Sequence, residues 1–300
     1  MNNKKYLIVF NPVANRVRKS LLSQLIQRLK QQNMTWQLYP TEPSMSANRH
    51  FFRQNIEDYT DVIVVGGDGT LHNVINCLGV NSHIRMGLLP AGTGNDFAKW
   101  LYGRHRQNLE IVLSTVTGEQ TVEMTVGQCQ FNDGSKRLFH NVLGLGLDAV
   151  LAKKLTQQKG IWGKLGYLVA ALRTIPFYRA QDITIKEPSQ SLTYANLITA
   201  FANAPYFGAG MKIAPTADAM ANSLALCRID MLPRLTMFQQ LFRLFNGSHI
   251  EQPYTDYRML NDAVLIESEG LDIEADGEYI GQSPCSISSI SNAIKIKKPT

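Results

Sequence analysis

The stretch Asp61-Val62-Ile63-Val64-Val65-Gly66-Gly67-Asp68-Gly69-Thr70 constrains the fold more than any other part of the chain. A short β-branched run, the pattern of a strand buried on both faces of a parallel sheet, ends abruptly in glycines. Leu71, Val74, Ile75 and Leu78 then recur at helical spacing, so the loop joins the C-terminus of a strand to the N-terminus of a helix. Open α/β sheets bind ligands at that position. Residues without Cβ let backbone N–H groups close on phosphate oxygens, and the helix start adds a partial positive charge. Asp68 would repel phosphates unless a cation intervened, which points to Mg²⁺.

The same rhythm extends on both sides. Residues 5–10, Trp36–Tyr39 and Ile84–Leu89 read as further strands, and Leu21, Leu22, Leu25, Ile26 and Leu29 share one helix face. Ser44–Ile56 and Leu71–Leu78 read as the next helices, so strands and helices alternate as in a parallel sheet with right-handed crossovers. From Thr121 onward the pattern changes. Thr121–Val126, Leu138–Leu143, Ile183–Lys186, Leu197–Ala202, Leu224–Ile229, Ala263–Ile266 and Leu271–Glu274 predict a mostly antiparallel domain interrupted by helix near 149–179. The expected domains are 1–126 and 127–287, with a linker around Gly118–Gly127. The closing run Ala293–Lys297 reads as a strand able to return to the first domain, which 288–300 would then complete.

Composition removes several classes. With 300 residues, 44% apolar and 18% charged, the chain can bury two ordinary globular cores. No apolar run approaches the roughly 20 residues that span a bilayer, and Tyr6–Phe10 is too short for a signal sequence, so a cytoplasmic location is the expectation. Cys77, Cys129, Cys227 and Cys285 lack metal-ligand spacing and read as free thiols, while among the histidines only His72 falls within the loop motif. A net charge of +6 favours polyanionic or membrane-surface partners. Ala149–Gln181 has no acidic residue but carries Lys153, Lys154, Lys159, Lys164, Arg173 and Arg179 among Trp162, Tyr167, Phe177 and Tyr178. That composition suits an anionic leaflet; it equally suits a solvated helix whose Leu165, Leu168, Val169 and Leu172 pack on the second domain. No nucleic-acid recognition motif accompanies these charges.

Two further loops share the style of the first. In Pro90-Ala91-Gly92-Thr93-Gly94-Asn95-Asp96-Phe97-Ala98, glycines flank a threonine hydroxyl, and Asn95-Asp96 can cap the helix that follows. Asn11-Pro12-Val13-Ala14-Asn15 follows the first strand. In this order the three loops resemble the soluble diacylglycerol kinase family, which includes bacterial lipid kinases and the sphingosine and ceramide kinases. The likeness continues through Phe139–Ala149, Ala202–Gly210 and Ala275-Asp276-Gly277-Glu278.

The resemblance implies an α/β nucleotide-binding domain with a parallel sheet, followed by an antiparallel β-sandwich that presents the acceptor lipid. It places ATP on Asn11, Pro12, Val13, Ala14, Asn15, Thr41, Gly66, Gly67, Asp68, Gly69, Thr70, Leu71, His72, Asn73, Gly92 and Thr93. Asp68 would act with Mg²⁺ on the phosphates, and the catalytic base would lie in Asp276-Gly277-Glu278, because transfer to an alcohol needs a carboxylate near the hydroxyl proton. Sequence does not separate Asp276 from Glu278, and Asp-Gly by itself reads as a hairpin turn. The implied activity is phosphorylation of diacylglycerol or a related lipid, giving phosphatidic acid or its equivalent. The chain would work at the inner face of the membrane, and a homodimer is the base-rate expectation.

Two alternatives stand beside this reading. An NAD kinase shares Gly66-Gly67-Asp68-Gly69, although the second loop and the motif around Tyr206 argue against it. A member that binds nucleotide or lipid without catalysis is suggested by departures from the family pattern. Asn15 replaces a glycine, His72-Asn73 an asparagine-glutamate pair, and Glu123 an aspartate. Met220-Ala221-Asn222-Ser223-Leu224 lacks the acidic residue and glycine that hold a structural Mg²⁺ in some relatives.

Overall fold

The computed structural model describes residues 5–13, 16–157, 164–208 and 210–299. The chain divides into two compact units. The first runs to Met124 and resumes at Asn292, and the second is Thr125–Ser291. Among the described residues no helix is long and apolar enough to cross a membrane.

The first unit is a parallel α/β sheet. Its strands β1 (Lys5–Phe10), β2 (Thr35–Pro40), β3 (Asp61–Gly66) and β4 (Arg85–Pro90) alternate with helices α1 (Arg16–Gln31), α2 (Met45–Asn55) and α3 (Asp68–Leu78). α4 (Asp96–Tyr102) and α5 (Leu109–Thr117) follow β4. The strand order is β4-β3-β1-β2, with β1 and β3 in the centre. Every residue of β3 is buried, which explains why its sequence shows no polar alternation.

A strand from the far end of the chain extends this sheet. β15 (Cys285–Lys297) pairs parallel to β4 through Lys295↔Arg85 and Ile296↔Met86, so the closing run does return to the first unit. Its Lys297 is fully buried. Nζ lies 2.6 Å from Asp61 Oδ1 and donates to the Val116 carbonyl at 2.8 Å. Arg85 and the Thr60 hydroxyl each donate to Asp61 Oδ2 at 2.7 Å. Burial alone would raise the Asp61 carboxyl, but the Lys297 charge and the hydrogen bonds from Arg85, Lys297 and Thr60 hold it below the ordinary carboxylate range.

The second unit is antiparallel. It contains β5 from Thr125 onward (the strand spans Thr121–Phe131), β6 (Lys136–Phe139), β7 (Val142–Gly146), β8 (Gln181–Lys186), β9 (Ser191–Ala202) and β10 (Leu224–Asp230). β11 (Thr255–Leu260), β12 (Val264–Ile266), β13 (Asp272–Ala275), β14 (Glu278–Gln282) and the start of β15 complete it. β9 organises these strands, its first half pairing with β8 and its second half lying between β7 and β10. Both faces are buried in alternation. Ala200 and Ala202 face one core while Phe201 faces the other, and Ala225 and Cys227 oppose Leu224 and Leu226 in the same way. Helices α6 (Leu147–Gln157), α7 (Lys164–Thr174) and α8 (Arg234–Asn246) belong to this unit, and α6, α7 and α8 contribute Leu151, Ala171, Met237, Leu241 and Leu244 to the first of those cores.

The boundary between the units, after Met124, falls inside the expected linker Gly118–Gly127 and within β5. Two expectations are corrected. Leu138–Leu143 is two strands rather than one, because the backbone amides of His140, Asn141 and Val142 leave the ladder to bind a side chain. The basic stretch is not uniformly free to meet a membrane, since Lys153 Nζ donates to both carboxylate oxygens of Asp272 at 2.8 and 2.9 Å. Trp162 and Lys159 lie outside the described residues.

Replacing Lys297 with Met should destabilise the folded chain by about 3 kcal/mol, because Asp61 stays buried with half its compensation removed. Urea unfolding of the full chain measures this, and the added change Asp61→Asn should recover part of the loss.

Candidate active site

In the first unit the two glycine loops are pressed together backbone to backbone. β3 and β4 end side by side with Gly66 opposite Pro90, and the Ala91 amide donates to the Gly66 carbonyl at 2.8 Å. A Cβ on Gly92 would sit 2.4 Å from Gly67 Cα, and one on Gly67 would sit 2.9 Å from Gly92 Cα. Neither position accepts a side chain.

Asp68 locks this arrangement. It opens α3, yet its Oδ1 and Oδ2 accept the amides of Phe97 and Asp96, each at 3.0 Å, so it caps α4 from another loop. The expected caps serve other purposes. Asn95 has left-handed backbone (φ 51°, ψ 47°), and its side chain bonds both the amide and the carbonyl of Gly92 at 2.9 Å. Asp96 is buried and pairs with Lys99.

The first loop is braced from α1. Asn11 Oδ1 accepts the Val13 amide at 2.9 Å, and Arg18 donates to the carbonyls of Asn11 at 3.1 Å, Val13 at 2.8 Å and Ala91 at 3.4 Å. Ala14 and Asn15 lie outside the described residues. The Thr41 amide donates to the Phe10 carbonyl at 2.8 Å, and buried Asn48 pins the loop beyond it through Tyr39, Glu42 and Ser44. Pro12, Val13, Gly69 and Thr93 are exposed, and Gly66 is packed under the Thr70 side chain. Leu71 and His72 turn their side chains inward, while Asn73 is half-buried and accepts from Cys77 at 3.5 Å. Arg18 and Asn48 were not singled out in the sequence, because they hold the backbone of adjoining loops and belong to no recognisable motif.

In the second unit Asp276 and Gly277 form the turn between β13 and β14, with φ of 54° and 89°, as a two-residue hairpin demands. The Asp276 carboxylate points inward and is fully buried. Oδ1 accepts the amides of Asn141 at 2.8 Å and Val142 at 3.2 Å. Oδ2 accepts the His140 amide at 3.1 Å and lies 2.8 Å from His140 Nδ1. The chain around His140 is held in turn by Asn203, whose side chain donates to the His140 and Thr125 carbonyls at 3.0 and 2.8 Å. Glu278, two residues past Asp276, is exposed.

Behind this turn lies a pair of carboxyls that sequence reasoning did not single out. Asp148 and Glu274 are both buried over Gly144, where an added Cβ would come within 1.9 Å of Asp148 Oδ2 and 2.9 Å of Glu274 Oε1. Glu274 Oε2 accepts the Gly277 amide at 2.7 Å. Burial pushes the Asp148 carboxyl up to about 7, and burial followed by repulsion from Asp148 raises Glu274 well above the usual range. The available signal was an acidic residue between Ile273 and Ala275 in an otherwise apolar strand.

The loop implied to hold a structural Mg²⁺ does not fit that ion. Asp218 is exposed, and its carboxylate accepts the Met220 amide at 3.0 Å. Asn222 is exposed, and among the described residues no group of three metal-ligating side chains forms around Asp218.

Comparison with known proteins agrees with this architecture. Residues 5–129 match the diacylglycerol kinase catalytic domain, and residues 141–298 match the YegS C-terminal NAD kinase beta sandwich-like domain. The chain is 28% identical over 258 residues to a diacylglycerol kinase of Mycobacterium tuberculosis, covering 84% of this chain and 81% of that one. It is 24% identical over 302 residues to a diacylglycerol kinase of Bacillus subtilis, covering 99% and 97%. A crystal structure of a diacylglycerol kinase from Bacillus anthracis superposes with a TM-score of 0.72 at 17% identity, covering 99% of this chain and 98% of that one. An NAD kinase from Archaeoglobus fulgidus in complex with ATP shares the fold more distantly, with a TM-score of 0.57 at 11% identity over 98% and 94%, which does not favour the NAD kinase alternative.

A parallel α/β unit with paired glycine loops and an antiparallel sandwich-like unit define a kinase that acts on a lipid hydroxyl. The chain belongs to the bacterial diacylglycerol kinase-like family of lipid kinases.

The Asp148–Glu274 pair makes stability depend on pH. A carboxyl raised by folding is protonated in the native state but ionised in the unfolded state between about 4 and 7, so it lowers stability as pH rises through that window. Asp148→Asn should flatten this slope, read from thermal unfolding midpoints across that range; an unchanged slope would show that the pair does not titrate there.

Proposed function

We propose that the chain transfers the γ-phosphoryl group of ATP to a hydroxyl of diacylglycerol, giving phosphatidic acid. The kinase family supports the use of ATP. The observation that carries the reading is the contact of Gly67 with Gly92, fixed by Asp68, which aims the start of α3 and the Gly92–Thr93 backbone outward from adjoining strand ends. A helix start and free backbone amides at such a point suit a nucleotide phosphate.

Each Asp68 oxygen holds one backbone N–H and keeps a second lone pair. Asp68 therefore fits as one ligand of an Mg²⁺ otherwise held by phosphates and water, an ion that would offset the charge developing on the transferred group. Proton removal from the acceptor falls to Glu278. The Asp276 carboxylate is saturated by backbone donors and His140, whereas Glu278 is exposed at the head of β14. A base must reach its proton, and only Glu278 of the pair can. Asp276 then serves by shaping the turn. The lipid acceptor implies work at a membrane surface, which the basic stretch 164–181 supports, and we place the protein at the inner leaflet.

Glu278→Gln should lower turnover on diacylglycerol by at least about 100-fold with the melting temperature unchanged. Asp276→Asn should lower the melting temperature, because an amide oxygen cannot replace the acceptor set. Asp68→Ala should abolish transfer from labelled ATP and also lower stability by about 1 kcal/mol through the lost cap. Near-normal turnover of Glu278→Gln, or of Asp68→Ala, would refute the role given to that residue.

A further inference from the structure

α8 is apolar on two faces rather than one. Met237, Leu241 and Leu244 are buried in the second unit's core, as one stripe of an amphipathic helix should be. A second stripe, Leu235, Phe242 and Phe245, follows helical spacing on another side, with Phe238 partly buried against the core between the two. Leu235 is 73% exposed, Phe242 64% and Phe245 43%. α8 packs beside the turn Ile175–Phe177, and there Phe177 is 83% exposed. Single exposed apolar residues are common, but large side chains in register on one helix, with a further aromatic on a neighbouring turn, mark an interaction surface.

The charges around this stripe select its occupant. Arg234 and, next to Phe177, Arg173 and Arg179 are exposed. No Asp or Glu occurs anywhere in 149–181 or 231–250. Two copies meeting through α8 would bring like charges together with no carboxylate from either stretch to offset them. Apolar prongs ringed by cations instead match an anionic bilayer, whose headgroups take the arginines while the acyl boundary takes the rings.

We propose that the outer stripe of α8, with Phe177, is the surface by which this kinase docks on anionic membranes. The inference rests on the membrane-surface reading above and moves the principal contact from the basic stretch 164–181 to α8. Leu235, Phe242 and Phe177 take no part in the nucleotide loops or in the Asp276–Glu278 turn, so removing them leaves the chemistry in place.

The test uses the full chain and vesicles of phosphatidylcholine with and without phosphatidylglycerol. The wild type should sediment with the anionic vesicles, less so at high salt. The double variant Phe177→Ser/Phe242→Ser should partition at least about tenfold more weakly, while its turnover on a water-soluble short-chain diacylglycerol stays within twofold of wild type, on the order of assay error. Phe242→Trp supplies a readout independent of loss, since its emission should shift to the blue on adding anionic vesicles. If the wild type binds no vesicle, the membrane-surface reading itself fails. If the wild type binds but the double variant binds equally and the tryptophan emission does not move, the docking face lies elsewhere and this inference alone is overturned. It is likewise overturned if the double variant turns a wild-type dimer into a monomer by analytical ultracentrifugation, which would assign the stripe to a second copy.

Discussion

The buried ion pair between Asp61 and Lys297 is the constraint on which the first unit depends. Asp61 begins the strand that ends in the glycine loop, and Lys297 ends the strand that completes the same sheet. Two charges without solvent are tolerated only if they are compensated, and here Arg85, Thr60 and the Val116 carbonyl add to the attraction between the pair. A register slip of β15 by one residue would reverse its side chains and bury Lys297 without a partner. The pair therefore specifies where β15 docks, and with it the strand end from which Asp68 and Gly67 project.

A common theme of the two units is the use of carboxylates to bind backbone. Asp68 holds the amides of Asp96 and Phe97, and Asp276 holds those of His140, Asn141 and Val142. In both cases the acid fixes a loop whose own residues could not be fixed by packing. The motifs Phe139–Ala149, Ala202–Gly210 and Ala275–Glu278 meet at His140 and Asn141, where the Asn203 and Ala204 amides both reach the Asn141 carbonyl. Residues that look chemical in a linear pattern are thus partly scaffold, while their neighbour Glu278 is left exposed.

How far the sequence was readable follows from the range of the interactions. β1 to β4 and the helices between them were legible because burial of both strand faces and one helix face imposes a local period. In the first unit the expected elements, such as Ser44–Ile56 against α2 at Met45–Asn55, lie within a few residues of the observed ones, whereas in the second Leu197–Ala202 is only half of β9. α8 escaped because two apolar stripes obscure the single-face pattern by which helices are recognised. The break between β6 and β7 escaped because its cause, Asp276, is more than a hundred residues away along the chain. The glycines of the site were readable as a motif, but the reason for Gly67 and Gly92, each occupying the space of the other's side chain, exists only in three dimensions.

The return of β15 to the first unit has a consequence for biosynthesis. Residues 125–291 are translated before the strand that closes the α/β sheet, so a ribosome exposes β4 with an unpaired edge throughout the making of the second unit. The first unit therefore completes its sheet only after the whole of the second unit has been synthesised.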